Sequence, residues 1–290
     1  MNEIFIACLC FIALGGALGL MLSLASKVFH VKRDERIDEI CEILPSANCG
    51  GCGYPGCANY AKAVVEGTAA SNLCVAGGEE VTKKISDIMG LSAEPTVRFR
   101  AQVMCSGTNS LAKKKYILEG IDDCVAASRL AGGNKMCPNG CIGLGTCAKA
   151  CPFDAIHVHD GVAAVDYNKC KACGACVAAC PKGIIKLIPF DAKYWVGCMS
   201  VDKGAKTRTY CEVGCIACRI CEKNCEAGAI TVDNFVAHID YDKCTHCGKC
   251  ESVCPRKIIW SNKAQIEDGL FITEENNEKE EKSKEASVNE

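Results

Sequence analysis

Cysteine is the residue whose number and spacing announce chemistry in this chain: there are 27 among 290 residues, most of them in runs of the form C-x2-C-x2-C-x3-C. Thiols at this density serve either a disulfide framework in an oxidising compartment or metal ligation in a reducing one. Cysteines two or three residues apart are poorly placed to pair with each other. They are well placed to wrap successive corners of an iron–sulfur cluster. Such centres supply one-electron transfer, with each potential set by hydrogen bonds to sulfur, burial and net charge.

The first motif reads Asn48-Cys-Gly-Gly-Cys-Gly-Tyr-Pro-Gly-Cys57 and closes with Cys74, a spacing of C-x2-C-x4-C-x16-C. Cys49, Cys52, Cys57 and Cys74 are the candidate ligands of one [4Fe–4S] cluster. Gly50, Gly51, Gly53 and Gly56 allow a tight turn that brings amide N–H groups to an anionic centre. Zinc is the competing occupant, because four cysteines opening with C-x2-C also suit that metal. The glycine loop and the later motifs favour iron–sulfur. Cys41, just outside this spacing, reads as a buried thiol.

A shift of 74 residues superposes nine cysteines on nine others without a gap, from Cys124 on Cys198 to Cys180 on Cys254, and matches Asp166-Tyr167 to Asp240-Tyr241. The chain therefore contains a duplicated module. Each copy has two cysteine runs around an alternating segment, 155–159 turning at Asp160-Gly161 and 229–232 turning at Asp233-Asn234, which predicts a small hairpin in each. The pattern resembles a bacterial two-cluster ferredoxin, in which three cysteines of a run hold one cluster and the fourth holds the other. That resemblance assigns Cys215, Cys218, Cys221 and Cys254 to one cluster and Cys225, Cys244, Cys247 and Cys250 to a second. In the first copy it assigns Cys151, Cys170, Cys173 and Cys176 to a third.

The remaining set is altered. Leu144 stands where Cys218 stands in the second copy, which leaves Cys141, Cys147 and Cys180 one ligand short. Either the site holds a three-iron cluster or Cys137 completes it, and the freedom of the glycine-rich loop 140–145 favours Cys137. Four cysteines then remain, Cys105, Cys124, Cys198 and Cys211, in segments that flank the first module on both sides. Such segments often lie close together in a compact fold, and four thiols are what a sixth cluster requires; free thiols or a zinc are the alternatives. The expectation is five to six [4Fe–4S] clusters, with Cys8 and Cys10 as small apolar residues of an N-terminal helix.

The elements that must position these thiols need little hydrophobic scaffolding, because ligation free energy is itself folding free energy; only 6% of residues are aromatic. Helix-like stretches at 34–44, 58–66 and 79–89 frame the first motif. Residues 4–26 carry no charge, enough at about 1.5 Å per residue to span a bilayer core of about 30 Å. Met1-Asn2-Glu3 lacks the basic start of a signal peptide, and Lys27, Lys32, Arg33 and Arg36 predict a cytoplasmic C-terminal side. Gly15, Gly16 and Gly19 offer a face to a partner helix.

The expected class is α+β, with a transmembrane anchor (1–26, lipid contact over 4–26), a small helical glycine-loop cluster domain (27–91) and a connecting segment (92–134). Two tandem bacterial-type 2[4Fe–4S] ferredoxin modules follow (135–190, and 191–262 with its leading segment), then a disordered acidic tail (263–290). The formal charge of −2 falls to roughly −14 with about six clusters at a net −2 each, which argues against a nucleic-acid partner.

The anchor, the glycine loop with Cys74 and the duplicated runs together look like the B subunit of the Rnf complex, in its longer form, over about residues 1–260. The resemblance implies an electron-transfer subunit of an ion-translocating ferredoxin:NAD+ oxidoreductase. It would sit in the cytoplasmic (inner) membrane as a single-pass protein with its clusters on the cytoplasmic side. It would take electrons from soluble ferredoxin and hand them to other membrane subunits. Nicotinamide and flavin chemistry would lie in those subunits, in keeping with the lack of a Gly-x-Gly-x-x-Gly loop after a strand, and no residue here is expected to be catalytic. Lys243, Lys249, Arg256 and Lys257, near the distal clusters, are candidates for docking an acidic ferredoxin. A subunit of a non-pumping membrane reductase and a zinc scaffold are the competing readings.

Overall fold

The computed structural model describes residues 2–28, 34–92 and 98–261, with side chains in the first stretch described at 6 and 11–24. The tail over 263–290 and the basic residues Lys32 and Arg33 lie outside the described residues, as do the side chains of Cys8, Cys10 and Lys27. α1 (Asn2–Val28) folds the uncharged N-terminal run into one helix of 27 residues. Its large apolar side chains, among them Phe11, Leu14, Leu18 and Leu22, are exposed. No helix long and apolar enough to cross a membrane is found among the described residues, so the anchor expected over 1–26 is seen as a helix and not as a span.

α2 (Glu35–Ile43), α3 (Cys57–Val65) and α4 (Gly78–Met89) pack around Ile40, Leu44, Tyr60, Val64 and Ile85. Asp34 caps α2 by accepting from the Arg36 N–H at 3.1 Å, and Gly90, left-handed at φ 64°, ends α4. Both are the residue types that such ends favour.

The remainder is one small α+β unit built twice. The first copy comprises β1 (Phe99–Val103), α5 (Cys124–Arg129), α6 (Thr146–Lys149), the hairpin β2 (Ile156–His159) and β3 (Val162–Val165), α7 (Ala175–Ala179) and β4 (Ile185–Pro189). The second comprises β5 (Tyr194–Val196), α8 (Gly204–Tyr210), α9 (Ile220–Lys223), the hairpin β6 (Ile230–Asp233) and β7 (Val236–Ile239), α10 (Lys249–Val253) and β8 (Ile259–Ser261). Both hairpins are antiparallel, as their alternation predicts.

In each copy a leading strand also pairs with the closing one, β1 with β4 and β5 with β8. Val103 lies opposite Ile185, and Val196 opposite Ile259. Ile185 and Ile259 are related by the 74-residue shift, so this register equates Val103 with Val196 and therefore Cys105 with Cys198. The uninterrupted shift instead matches Cys198 to Cys124. The cause is an insertion: Cys137 lies 32 positions after Cys105, but Cys211 only 13 after Cys198. The extra residues carry α5.

Buried Arg100 joins the copies. Its guanidinium stacks on the ring of Tyr167, 3.6 Å from the centroid, and lies 5.4 Å from that of Trp195. It also donates to Gln102 Oε1 at 2.9 Å and to the Ala192 carbonyl at 2.8 Å.

Candidate metal centres

One turn presents the thiols in the ferredoxin-type C-x2-C runs: the residue before the second cysteine is left-handed, Ala172 (φ 52°), Ala217 (54°) and His246 (57°), and so is the residue after that cysteine, Gly174, Arg219 and Gly248. The glycine loop uses a related turn, left-handed at Gly50 (φ 71°), directly after its first cysteine, and at Gly53, directly after its second. Such turns aim successive N–H groups into one concavity and so favour an anion. Amides also donate to the sulfurs: Ala155 to Cys151 at 3.4 Å, Ala229 to Cys225 at 3.3 Å and Ala101 to Cys170 at 3.4 Å.

Cys49, Cys52, Cys57 and Cys74 line one cavity with Leu44, Tyr60 and Val75. Cys41 is half-buried in the adjoining core and does not line it. In the first copy, burial pushes the Cys176 thiol up to about 12, and charge on Cys170, Cys173 and Cys151 acts in the same direction. In the second, burial raises Cys221 to about 11, with Cys215, Cys254 and Cys218 close enough to add to it. Burial likewise takes Cys250 to about 12 beside Cys244 and Cys247. Cys225 holds in the second copy the place of Cys151 in the first, down to the matching amide bond. A metal occupant must displace the protons that burial stabilises on these thiols.

The altered set is where sequence and structure part. Cys141, Cys147 and Cys180 line a cavity with Cys124, not with Cys137. The glycines of loop 140–145 are not slack: Gly143 (φ 83°) and Gly145 (φ 75°) repeat the turn of Ala217 and Arg219. A Cβ on Gly143 would lie 2.3 Å from the Gly161 carbonyl oxygen. Leu144 thus keeps the place of Cys218 and packs with Cys124, Ala127 and Ile142. The inserted helix delivers the thiol. Asp123 caps α5, accepting from the Ala126 N–H at 2.7 Å and from the Thr146 hydroxyl at 2.9 Å, while Thr146 Oγ1 accepts from the Cys124 N–H at 2.7 Å. Two signals in the sequence point this way, an Asp immediately before a short helical stretch and the unequal spacing before the two first runs.

Cys137 instead lines a cavity with Cys105, Cys198 and Cys211. The backbone holds it there, through the Met136 N–H donating to the Lys113 carbonyl at 2.8 Å and a bridge between Lys114 and Lys135. The duplication relates this set to itself, Cys105 to Cys198 and Cys137 to Cys211. Its contacts are mirrored accordingly: the Cys141 N–H donates to Cys105 Sγ at 3.4 Å and the Cys215 N–H to Cys198 Sγ at 3.3 Å. Burial pushes the Cys198 thiol up to about 12 and raises that of Cys137, against a hydrogen bond from the Asn139 backbone.

The thiols of the glycine loop, of the altered site and of the junction thus line three separate cavities, and those of the remaining runs lie close enough to act on one another. A Cβ on Gly51 would lie 3.1 Å from Cys173 Cα, which brings the glycine loop against the first copy. Cys176 lies near enough to Cys147 to raise its thiol, and Cys221 does the same to Cys250. Among the described residues no group of three or more His, Cys, Asp or Glu is gathered for a single metal ion. All-thiol sets around otherwise mainly apolar cavities fit iron–sulfur clusters, for which thiolate is the natural ligand. Cys218 and Cys247, both in the second copy, are the exposed cysteines among the described residues.

The four basic candidates are largely engaged. Lys243 pairs with Asp240 at 2.9 Å and Lys249 with Glu226. Arg256 donates to the Cys211 carbonyl at 2.6 Å, which makes it a support of the junction set. Lys257 is exposed.

Known proteins match along most of the chain. A family model described as an Fe-S cluster covers residues 44–76, and models described as a 4Fe-4S dicluster domain cover 135–181 and 214–258. The chain is 43% identical over 247 residues to the B subunit of the ion-translocating oxidoreductase complex of Methanosarcina acetivorans, covering 85% of this chain and 94% of that protein. It is 42% identical over 242 residues to the B subunit of the Na(+)-translocating ferredoxin:NAD(+) oxidoreductase complex of Acetobacterium woodii, covering 83% and 73%. It is 39% identical over 263 residues to the B subunit of the proton-translocating ferredoxin:NAD(+) oxidoreductase complex of Clostridium ljungdahlii, covering 89% and 93%.

Proposed function

The chain belongs to the B subunits of ion-translocating oxidoreductase complexes, and from that premise we propose that it accepts electrons from reduced soluble ferredoxin at its second module and passes them toward the membrane subunits of a ferredoxin:NAD+ oxidoreductase. When bound, [4Fe–4S] clusters supply the one-electron chemistry. The chain's part is to hold them in order. Cys225/Cys244/Cys247/Cys250 and Cys215/Cys218/Cys221/Cys254 come first, where Cys247 and Cys218 are exposed to a partner. Cys105/Cys137/Cys198/Cys211 follow at the junction, then Cys124/Cys141/Cys147/Cys180 and Cys151/Cys170/Cys173/Cys176. Cys49/Cys52/Cys57/Cys74 lie last, in the domain that follows α1.

The observation that carries this reading is the junction set, whose mirrored amide–sulfur contacts at 3.4 and 3.3 Å tie it to one site in each module. Without it the two modules would be separate two-cluster carriers. The membrane assignment rests on α1, whose uncharged 23 residues at 4–26 are followed by Lys27, Lys32, Arg33 and Arg36. Those charges favour a cytoplasmic location for the thiol-bearing domains. Membrane fractionation of the full chain and of a variant lacking 2–28 tests the anchor: the full chain should resist alkaline extraction and the shortened one should not.

Reconstituted vesicles test the function. Ferredoxin-dependent NAD+ reduction should depend on this chain, and metal analysis of the anaerobically purified protein should give about 24 Fe with matching sulfide. Full activity without the chain would overturn the reading. Zinc in place of iron would return it to a structural scaffold.

A further inference from the structure

We propose that Lys135 is a buried counter-charge at the junction of the two modules, raising the reduction potential of the cluster held by Cys105, Cys137, Cys198 and Cys211 and of its neighbour at Cys124, Cys141, Cys147 and Cys180. This inference rests on reading the junction set as a cluster site.

Lys135 is 3% exposed and lines the junction cavity. Its ammonium donates to the Gly107 carbonyl at 2.6 Å and to the Gly161 carbonyl at 2.7 Å, and makes no ion pair with a carboxylate among the described residues. Both carbonyls belong to the walls of thiol sites. A Cβ on Gly107 would lie 3.4 Å from Cys211 Sγ and 3.9 Å from Cys105 Sγ, and Gly161 closes against Gly143 in the run that carries Cys141. Asp202, the acid that acts on Cys137, is already engaged by Lys206 at 2.8 Å and by the Tyr210 hydroxyl at 2.9 Å.

A buried ammonium is costly unless an opposite charge answers it. Carbonyl dipoles orient Lys135 but supply no charge; the thiolate-bound clusters on either side do. Reduction adds one negative charge to such a site, so a fixed cation beside it favours the reduced form. The duplication offers a comparison. The position 74 residues on is Thr209, exposed at the end of α8, so the second copy places no cation at the corresponding point of its sequence. One lysine makes an otherwise symmetric junction electrostatically one-sided, toward the first module.

The test compares Lys135→Met and Lys135→Arg in the full chain, purified anaerobically, by iron content and by redox titration followed by EPR. Lys135→Met should keep its iron while one or two midpoints fall and the rest stay. At a fixed ambient potential the reduced-to-oxidised ratio of the affected clusters should drop about tenfold, 59 mV for one electron. Lys135→Arg should keep the parent midpoints. Unmoved midpoints in a fully loaded Lys135→Met chain would overturn the proposal. Should Lys135→Met shed about four Fe, retention in Lys135→Arg supports a charge requirement, and loss in both overturns it as mere packing. A parent chain with about 20 Fe that Cys105→Ser leaves unchanged would instead remove the junction cluster itself, a failure visible without any Lys135 variant.

Discussion

In the second ferredoxin module, Cys218 sits in the first run as an exposed thiol; in the first module, Leu144 takes its place and packs inward, and the thiol arrives from Cys124 on a helix that the second module lacks. The backbone around the exchange is the same in both copies: Gly143 and Gly145 make the turn that Ala217 and Arg219 make. The comparison separates two requirements of a ligand-centred fold. The turn must be kept because it aims the amides, whereas the ligand need only reach the right point in space, from whichever element can supply it. The exchange also changes access. Cys124 is 8% exposed, so the first module's altered site is sheathed while its counterpart is open to a partner.

The largest effect should come from cutting the link between the copies. Cys105→Ser is expected to remove about four Fe and to leave the second module reducible by ferredoxin while the first module and the glycine-loop domain lag, as freeze-quench EPR would show. Equal reduction of both modules would place the link elsewhere. The ligand exchange is broken next. Cys124→Ser should lose about one cluster or leave a three-iron signal, and Leu144→Cys should restore it by recreating the spacing of the second module. Leu144→Cys should not rescue Cys137→Ser, because that thiol serves the junction; rescue there instead would return Cys137 to the first module.

Smaller effects sharpen the same comparison. Gly143→Ala, chemically the residue already present at Ala217, should lower stability by about 1–3 kcal/mol through overpacking against the Gly161 carbonyl, read as an earlier guanidinium midpoint for loss of cluster absorbance. Ala217→Gly should shift that midpoint far less. Asp123→Ala removes the cap of α5 and should cost about 1 kcal/mol, with iron loss confined to the Cys124 site in the first module. An unchanged midpoint would mean that α5 is held by its apolar contacts alone.

Much of this arrangement is legible in the runs. Thiols two or three residues apart can only converge, since chain reach is about 3.3–3.6 Å per residue, and the alternating segments at 155–159 and 229–232 enter hairpins whose first strands run over Ile156–His159 and Ile230–Asp233. The loop 140–145 misled because its glycines read as freedom, whereas two of them serve a left-handed turn and Gly143 also fits against Gly161. The ungapped shift misled because Cys124 lies by chance at the offset of Cys198, inside an insertion. Only the pairing of Val103 with Ile185 and of Val196 with Ile259 exposes that coincidence.

By itself, the sequence determined the family and the all-thiol chemistry, and it proposed the sets whose members lie within single runs or follow the ferredoxin exchange of fourth cysteines. These are local matters, decided by chain reach and turn geometry. Tertiary structure decided between Cys124 and Cys137, assembled Cys105 with Cys198 across the two copies and buried Lys135 between them. Both candidate thiols could reach the incomplete site along the chain, so the choice fell to long-range contacts: the Asp123–Thr146 cap that draws one in, and the Met136–Lys113 pairing that holds the other at the junction.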